Sequence, residues 1–295
     1  REHLGKFQTA GRNRGGGKVK KKIIQTAVLL LIFIVLGVFF AFPLYWTILM
    51  SFKTSAQVFV EKPIFFMDTL YLDNYIEIFT KSDVGTFFMN SLIVAGCTTL
   101  FSLIISTMAG FGLSRYVFRG SRLLRNSILV IRMIPALIYT IPYYIIYSRL
   151  HLLDTISGLI MAYISFALPM GIWLAISFFT DIPQEIYESA EIDGCGEWRM
   201  YLSIALPLVK AGIAVIAILL FVQAWNEFGL ALVLQSSDAK KTLPIGIASM
   251  VQTHKDTPSG SLAAAGVIAM IPAMILALTT QKYIVKGTMA GAIKG

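Results

Sequence analysis

The sequence predicts an all-α membrane protein with six transmembrane helices, both termini cytoplasmic, and a short cytoplasmic helix between spans four and five. Three observations carry this. First, 56% of the 295 residues are apolar and only 14% are charged, where a soluble domain carries about a quarter charged residues; the mean hydropathy is +0.73. Second, the runs 23–52, 84–114, 133–148, 155–180, 211–226 and 257–281 contain no Asp, Glu, Lys or Arg. Third, Lys and Arg divide unevenly between the segments that join these runs.

Residues 1–22 form a basic segment ending in Lys18–Lys22, and 23–52 follow as the first span. That run is too long for the apolar core of a signal peptide, so a retained anchor is expected. Residues 53–83 form a loop on the outer side, and 84–281 form a five-helix core. About 20 apolar residues cross a bilayer. Four runs reach that length alone. The run at 133–148 reaches it by starting near Asn126 and tolerating Arg132, and the run at 211–226 by continuing past Glu227 into Phe228–Leu234. Residues 282–295 form the tail.

In alternate connecting segments, Lys and Arg number 18 on one side and 7 on the other. The richer side faces the cytoplasm, which places both termini and the loop at 181–210 inside. Cytoplasmic loops and lipid headgroups account for the net charge of +9, so nucleic acid is not an expected partner. Cys97 and Cys195 are far apart and form no CxxC, so neither a disulfide framework nor a zinc site is expected. The histidines His3, His151 and His254 are scattered. No catalytic, cofactor or metal constellation is visible.

The loop after span four is rich in carboxylates: "QEIYESAEIDGCGEWRMYLSIALPL", residues 184–208. Asp181 and Gln184 have the spacing of a capping box, and Gly194 suits a helix stop, so a helix of about 182–193 is expected. At about 100° per residue, Ile182, Ile186, Tyr187 and Ala190 share one face, with Glu185, Glu188 and Glu191 opposite. Ile192 sits among the acids. Anionic lipid repels such a polar face. A partner protein with a groove is therefore the expected cover for the apolar face.

The same residues resemble the EAA signature of ABC-importer permeases. Glu188-Ser189-Ala190 stands for Glu-Ala-Ala, Asp193-Gly194 for the Asp-Gly that follows, and Leu206-Pro207 for the distal Leu-Pro. Ser189 replaces the usual Ala, and Lys210-Ala211 stands where the family often has a proline. "LDNYIEIF" (72–79), "NSLIVA" (90–95), "AGFGLSRYVFRG" (109–120), "WNEF" (225–228), "KTLPIGIA" (241–248) and "QKYIVKGTMAGAIKG" (281–295) look like its carbohydrate-uptake branch, of the maltose-transporter permease type. The resemblance implies an inner-membrane permease that moves a carbohydrate, an oligosaccharide by expectation, delivered by an extracytoplasmic sugar-binding protein. It implies coupling to two ATPase subunits through Glu185, Ile186, Tyr187, Glu188, Ser189, Ala190, Glu191, Asp193 and Gly194, and contact with them through Lys286, Gly287 and Lys294 of the tail. It also implies a second permease subunit, a different chain by expectation, and residence in a bacterial cytoplasmic membrane.

ATP binding by this chain itself is not expected. "GRNRGGGKV" fails the phosphate cradle GxxxxGK[ST], because Arg12 stands at the first glycine and Val19 at the final hydroxyl position. ATP and Mg belong to the partner subunits. Candidate solute-pathway residues are Gln223, Trp225, Asn226, Glu227 and Tyr143, because sugar rings stack on aromatics and sugar hydroxyls need hydrogen-bond partners. Trp225 with Glu227 equally fits an interfacial belt, and Tyr139, Tyr144 and Tyr147 fit packing. Arg132 lies roughly 9 Å along a helix from Asn126, within reach of the interface by snorkelling. The alternative to an ATP-driven permease is a secondary carrier or channel, which an ion gradient would drive.

Overall fold

The computed structural model describes residues 13–58, 60, 62–66, 69–253 and 259–292. Its helices are α1 (Asn13–Ser51), α2 (Ser55–Val58), α3 (Asp73–Thr80), α4 (Val84–Arg115), α5 (Ser121–Met133), α6 (Ala136–Arg149), α7 (Ile156–Thr180) and α8 (Gln184–Ile192). Then α9 (Glu197–Arg199) runs through a π-helical segment, Met200–Ala205, into α10 (Leu206–Leu208). The chain continues with α11 (Lys210–Trp225), α12 (Gly229–Leu234), α13 (Leu243–Thr253) and α14 (Ser259–Ala292). No strand occurs among the described residues.

The core is a close pairing of α4 and α7, with α11 laid against both. In a membrane, helices associate by van der Waals fit, which small residues permit. On α4, Thr98, Ser102, Ser106 and Gly110 recur every fourth residue and are all buried; on α7, Ala167, Gly171 and Ala175 do the same. At Gly110 a methyl group would sit 2.9 Å from the Ala175 carbonyl carbon, and at Gly171 it would sit 2.9 Å from Ser106 Cβ. Gly212 lets α11 approach equally closely, since a methyl group there would meet the Phe178 ring at 2.5 Å. By contrast α1 touches α14, and the most apolar window of Lys22–Ser51 buries none of its residues in this chain.

Four helices are long and apolar enough to cross a membrane: Lys22–Ser51, Val84–Arg115, Ile156–Thr180 and Ser259–Thr279. The count reaches six if two bent pairs are each one span. Ser121–Met133 meets Leu137–Arg149 at 101°, and Glu197–Leu208 meets Lys210–Trp225 at 82°. The third apolar run is thus not one straight helix. Pro135 excludes the helical conformation from the residue before it, and Ile134 is extended at φ −77°, ψ 124°.

The predicted continuation of the fifth span into Phe228–Leu234 is corrected. The helix ends at Trp225, and the Glu227 carboxylate starts a new one by accepting the backbone N–H of Leu230 (2.8 Å) and of Ala231 (3.1 Å). That new helix, α12, packs on α6 and α7. If the bent pair is one span, its remaining length lies before the bend at Val209, in Glu197–Leu208.

At the end of the bundle opposite α8, polar side chains tie the loops. Asp154 Oδ1 accepts from the backbone N–H of Ser236 and of Ser237, both at 3.0 Å. Asn90 donates to the carbonyls of Ala239 (3.0 Å) and Lys241 (2.9 Å). Lys53 is buried; its ammonium donates to the Ile64 carbonyl at 2.7 Å and lies 4.7 Å from the centre of the Trp46 ring.

Candidate functional site

The acidic stretch forms a nine-residue helix, α8. Its start differs from the predicted capping box: Asp181 ends α7, and Pro183 occupies the N-cap with no side-chain hydrogen bond. Its end is a complete Schellman motif. Gly194 takes φ +75°, its N–H donates to the Glu191 carbonyl at 2.9 Å, and the Cys195 N–H donates to the Ala190 carbonyl at 2.9 Å.

Tyr187 and Ala190 are buried, and Ile182 is partly so. Their cover is this chain's own Phe111, Met200 and Tyr201. The sequence argument assigned that cover to a partner protein; the structure places it within the subunit. The outward surface of α8 is Glu185, Glu188, Ser189 and Ile192, all exposed, with Ile192 87% exposed. Ile186 lies at the edge and lines a groove with Phe178, Pro183, Val209 and Gly212.

Glu191 leaves the predicted acidic face. It pairs with Arg115, at the end of α4 and 76 residues away in sequence. The same guanidinium reaches Glu197 at 3.5 Å and lies 4.8 Å from the centre of the Tyr187 ring. Tyr116 closes the cluster by donating to Glu197. The Arg115 side chain is 5% exposed while its two carboxylate partners are more than half exposed. The arginine is thus a buried pin with its charge turned to a wet rim. Burial raises the Tyr187 hydroxyl above its ordinary pKa, against the pull of Arg115. Sequence reasoning counted Arg115 only as a topology charge. Its position at the end of the "GFGLSR" helix was the available signal.

The candidate pathway residues separate. Trp225 is buried, donates from Nε1 to the Ala269 carbonyl at 3.1 Å, and stacks on Phe221. Asn226 is exposed and donates back to the Val222 carbonyl at 2.9 Å. Glu227 is the helix-starting carboxylate described above. Gln223 and Tyr143 instead share a cavity of about 450 Å³ with Arg132, Tyr139 and Ser165. Arg132 makes no ion pair among the described residues; its guanidinium lies over the Trp173 ring, 5.4 Å from the centre. Of the tail residues, Lys286 and Gly287 fall within α14, and Lys294 lies outside the described residues.

A bundle of broken and unbroken apolar helices, with an acidic helix pinned beneath it, defines a polytopic transport subunit. The chain belongs to the family described as binding-protein-dependent transport system inner membrane component, which matches residues 102–289. It is an inner-membrane permease component. It is 31% identical over 279 residues to the trehalose/maltose transport system permease protein MalG of Thermococcus litoralis, covering 94% of this chain and all of the relative. It is 34% identical over 254 residues to the trehalose transport system permease protein SugB of Mycobacterium tuberculosis, covering 86% and 92%. In fold it is similar to a chain of a bacterial ABC transporter that imports the acidic polysaccharide alginate. The TM-score is 0.74 at 23% identity, over 90% of this chain and 96% of the other.

Proposed function

We propose that this chain is one of two transmembrane subunits of an ATP-driven importer for an oligosaccharide. The named relatives serve trehalose, maltose, diacetylchitobiose and arabino-oligosaccharides, which supports a carbohydrate cargo. An alginate importer solved with its pentasaccharide-bound periplasmic protein, TM-score 0.61, supports delivery by a binding protein. In this reading each bent pair is one span, giving six, and both termini lie in the cytoplasm. ATP and Mg are bound by two separate ATPase subunits, and the exposed apolar surface of α1 faces lipid and a second, different permease.

The observation that carries the reading is the two-sided α8. Its inner face is locked to α4 and to the π-helical segment before α11; its outer face presents Glu185, Glu188 and Ile192. A cleft that grips the outer face moves the inner one, and with it α4 and α11. Closure of the ATPases on ATP then tilts the bundle between inward-open and outward-open forms.

The test is uptake of labelled oligosaccharide by proteoliposomes holding the full assembly and its binding protein. ATP-dependent uptake that Glu188→Arg abolishes, with this chain still inserted, is the expected result. Uptake that ignores ATP and collapses with the ion gradient overturns the reading in favour of a secondary carrier.

A further inference from the structure

The cavity between α5, α6, α7 and α11 holds chemistry that packing does not explain. Arg132 enters it from α5 and rests on Trp173 of α7, with no carboxylate within 4.0 Å among the described residues. Arg132 is exposed in this chain, within reach of the interface by snorkelling, and an ionisable residue in a span that lacks an ionic partner is a candidate for contact with solute. In the same lining, the Gln223 side-chain oxygen is buried and has no hydrogen-bond partner among the described residues. Tyr139 and Tyr143 line the same cavity edge to face, with ring centres 6.5 Å apart. The Tyr143 hydroxyl is held by Ser165.

We propose that this cavity is a solute subsite that receives an acidic sugar residue, its carboxylate on Arg132. The inference rests on the importer reading above and names the cargo class that reading leaves open. A planar guanidinium pairs with a carboxylate through two parallel hydrogen bonds. Trp173, its ring centre 5.4 Å from the guanidinium carbon, supports the cation from α7. The tyrosine rings supply faces on which a pyranose packs. The buried Gln223 oxygen accepts from a ring hydroxyl, which a neutral or an acidic sugar provides alike. The cation therefore sets the preference for charge, and Gln223 sets the affinity for sugar.

The volume, about 450 Å³, suits one or two sugar rings within the usual range for small-ligand pockets. A lipid phosphate is the other oxyanion available to an arginine at this depth.

The test uses the purified assembly in detergent, with its second permease and ATPases, titrated with a galacturonate trisaccharide and with maltotriose. The expected result is tighter binding of the uronate. Arg132→Gln weakens it at least tenfold and leaves maltotriose unchanged, whereas Gln223→Ala weakens both. Arg132→Lys restores part of the uronate affinity because it keeps the charge without the fork. Equal binding of the two sugars, or uronate binding indifferent to Arg132→Gln, overturns the subsite. A variant that alters only the requirement for anionic lipid assigns Arg132 to the headgroups and overturns it too. Variants are scored only when they co-elute with the ATPase subunits, which excludes misfolding. Loss of ATP-driven uptake by the parent assembly refutes the importer reading separately.

Discussion

Arg115→Ala removes the pin between the acidic helix and the rest of the bundle, and its cost can be worked from the contacts. The ion pairs to Glu191 and Glu197 end on carboxylates more than half exposed, so solvent screening leaves about 0.2–1 kcal/mol for them. The stack on Tyr187 at 4.8 Å involves a desolvated guanidinium and contributes about 1–2 kcal/mol. The attachment of α8 to α4 should therefore weaken by about 1–3 kcal/mol, roughly 5–150-fold in a coupling equilibrium. Both Glu residues remain in water after the change, so no orphaned buried charge inflates the figure. The assay is solute moved per ATP hydrolysed, in proteoliposomes of the full assembly. The ratio should fall at least fivefold while hydrolysis persists. A double-mutant cycle with Glu191→Ala isolates the ion pair and should show coupling of no more than about 1 kcal/mol. If uptake and hydrolysis fall together in proportion, Arg115 supports assembly alone and the pin argument fails.

Gly194→Ala should speed hydrogen exchange of the last turn of α8 about 5–30-fold, because a β-carbon at positive φ costs about 1–2 kcal/mol. Apart from Gly194 and its chain neighbours, no atom of the described residues lies within 4 Å of that β-carbon, so Gly194→Asn should recover most of the protection; equal damage from both variants would point to steric contact with a partner. Gly171→Ala forces α4 and α7 apart at Ser106 and should cost about 1–3 kcal/mol of thermal stability, with recovery in the double variant Gly171→Ala, Ser106→Gly. Additive losses in that pair would remove the clash from the explanation. Asp154 is held below the ordinary carboxylate pKa; burial pushes it up, and the Ser237 and Ser236 amides outweigh that. A carboxyl lowered by folding stabilises at pH above its unfolded value of about 3.9, and that stabilisation is lost as pH falls through the folded value. The melting temperature of the parent should therefore drop more steeply below about pH 4 than that of Asp154→Asn, and identical acid slopes would dismiss this role.

What could be read from the sequence followed what the chain encodes locally. Uninterrupted apolar runs identified α1, α4, α7 and α14, since hydrocarbon solvation acts on each residue independently of its neighbours. Gly194 announced its positive φ by being the residue that tolerates it. The acidic helix was found from its spacing, yet its faces were only half right. Glu191 lies in line with Glu185 and Glu188 by angle, and only Arg115, distant in sequence, turns it into an internal partner. The size of the bends at Ile134 and Val209 is not legible in a charge-free run, which records composition and not direction. Glu227 was read as a span residue because composition does not show that its carboxylate would serve Leu230 and Ala231.

The two halves of the molecule divide their labour through different physics. The α4–α7 seam is built from small side chains that carry hydroxyl and methyl groups and pack closely. The junction with α8 is aromatic and ionic, with one arginine reaching from the seam to the rim. At the seam, Phe111 touches Tyr187, Phe179 and Tyr201 at once. That one ring meets side chains of α7, α8 and the π-helical segment, while its own helix, α4, carries the small-residue stripe. The π-helical segment beside it has looser backbone geometry than an α-helix, and the 82° bend follows it directly. α8 packs on that segment, and α11, whose Gln223 borders the Arg132 cavity, follows the bend, so the acidic helix and the cavity adjoin one continuous stretch of chain.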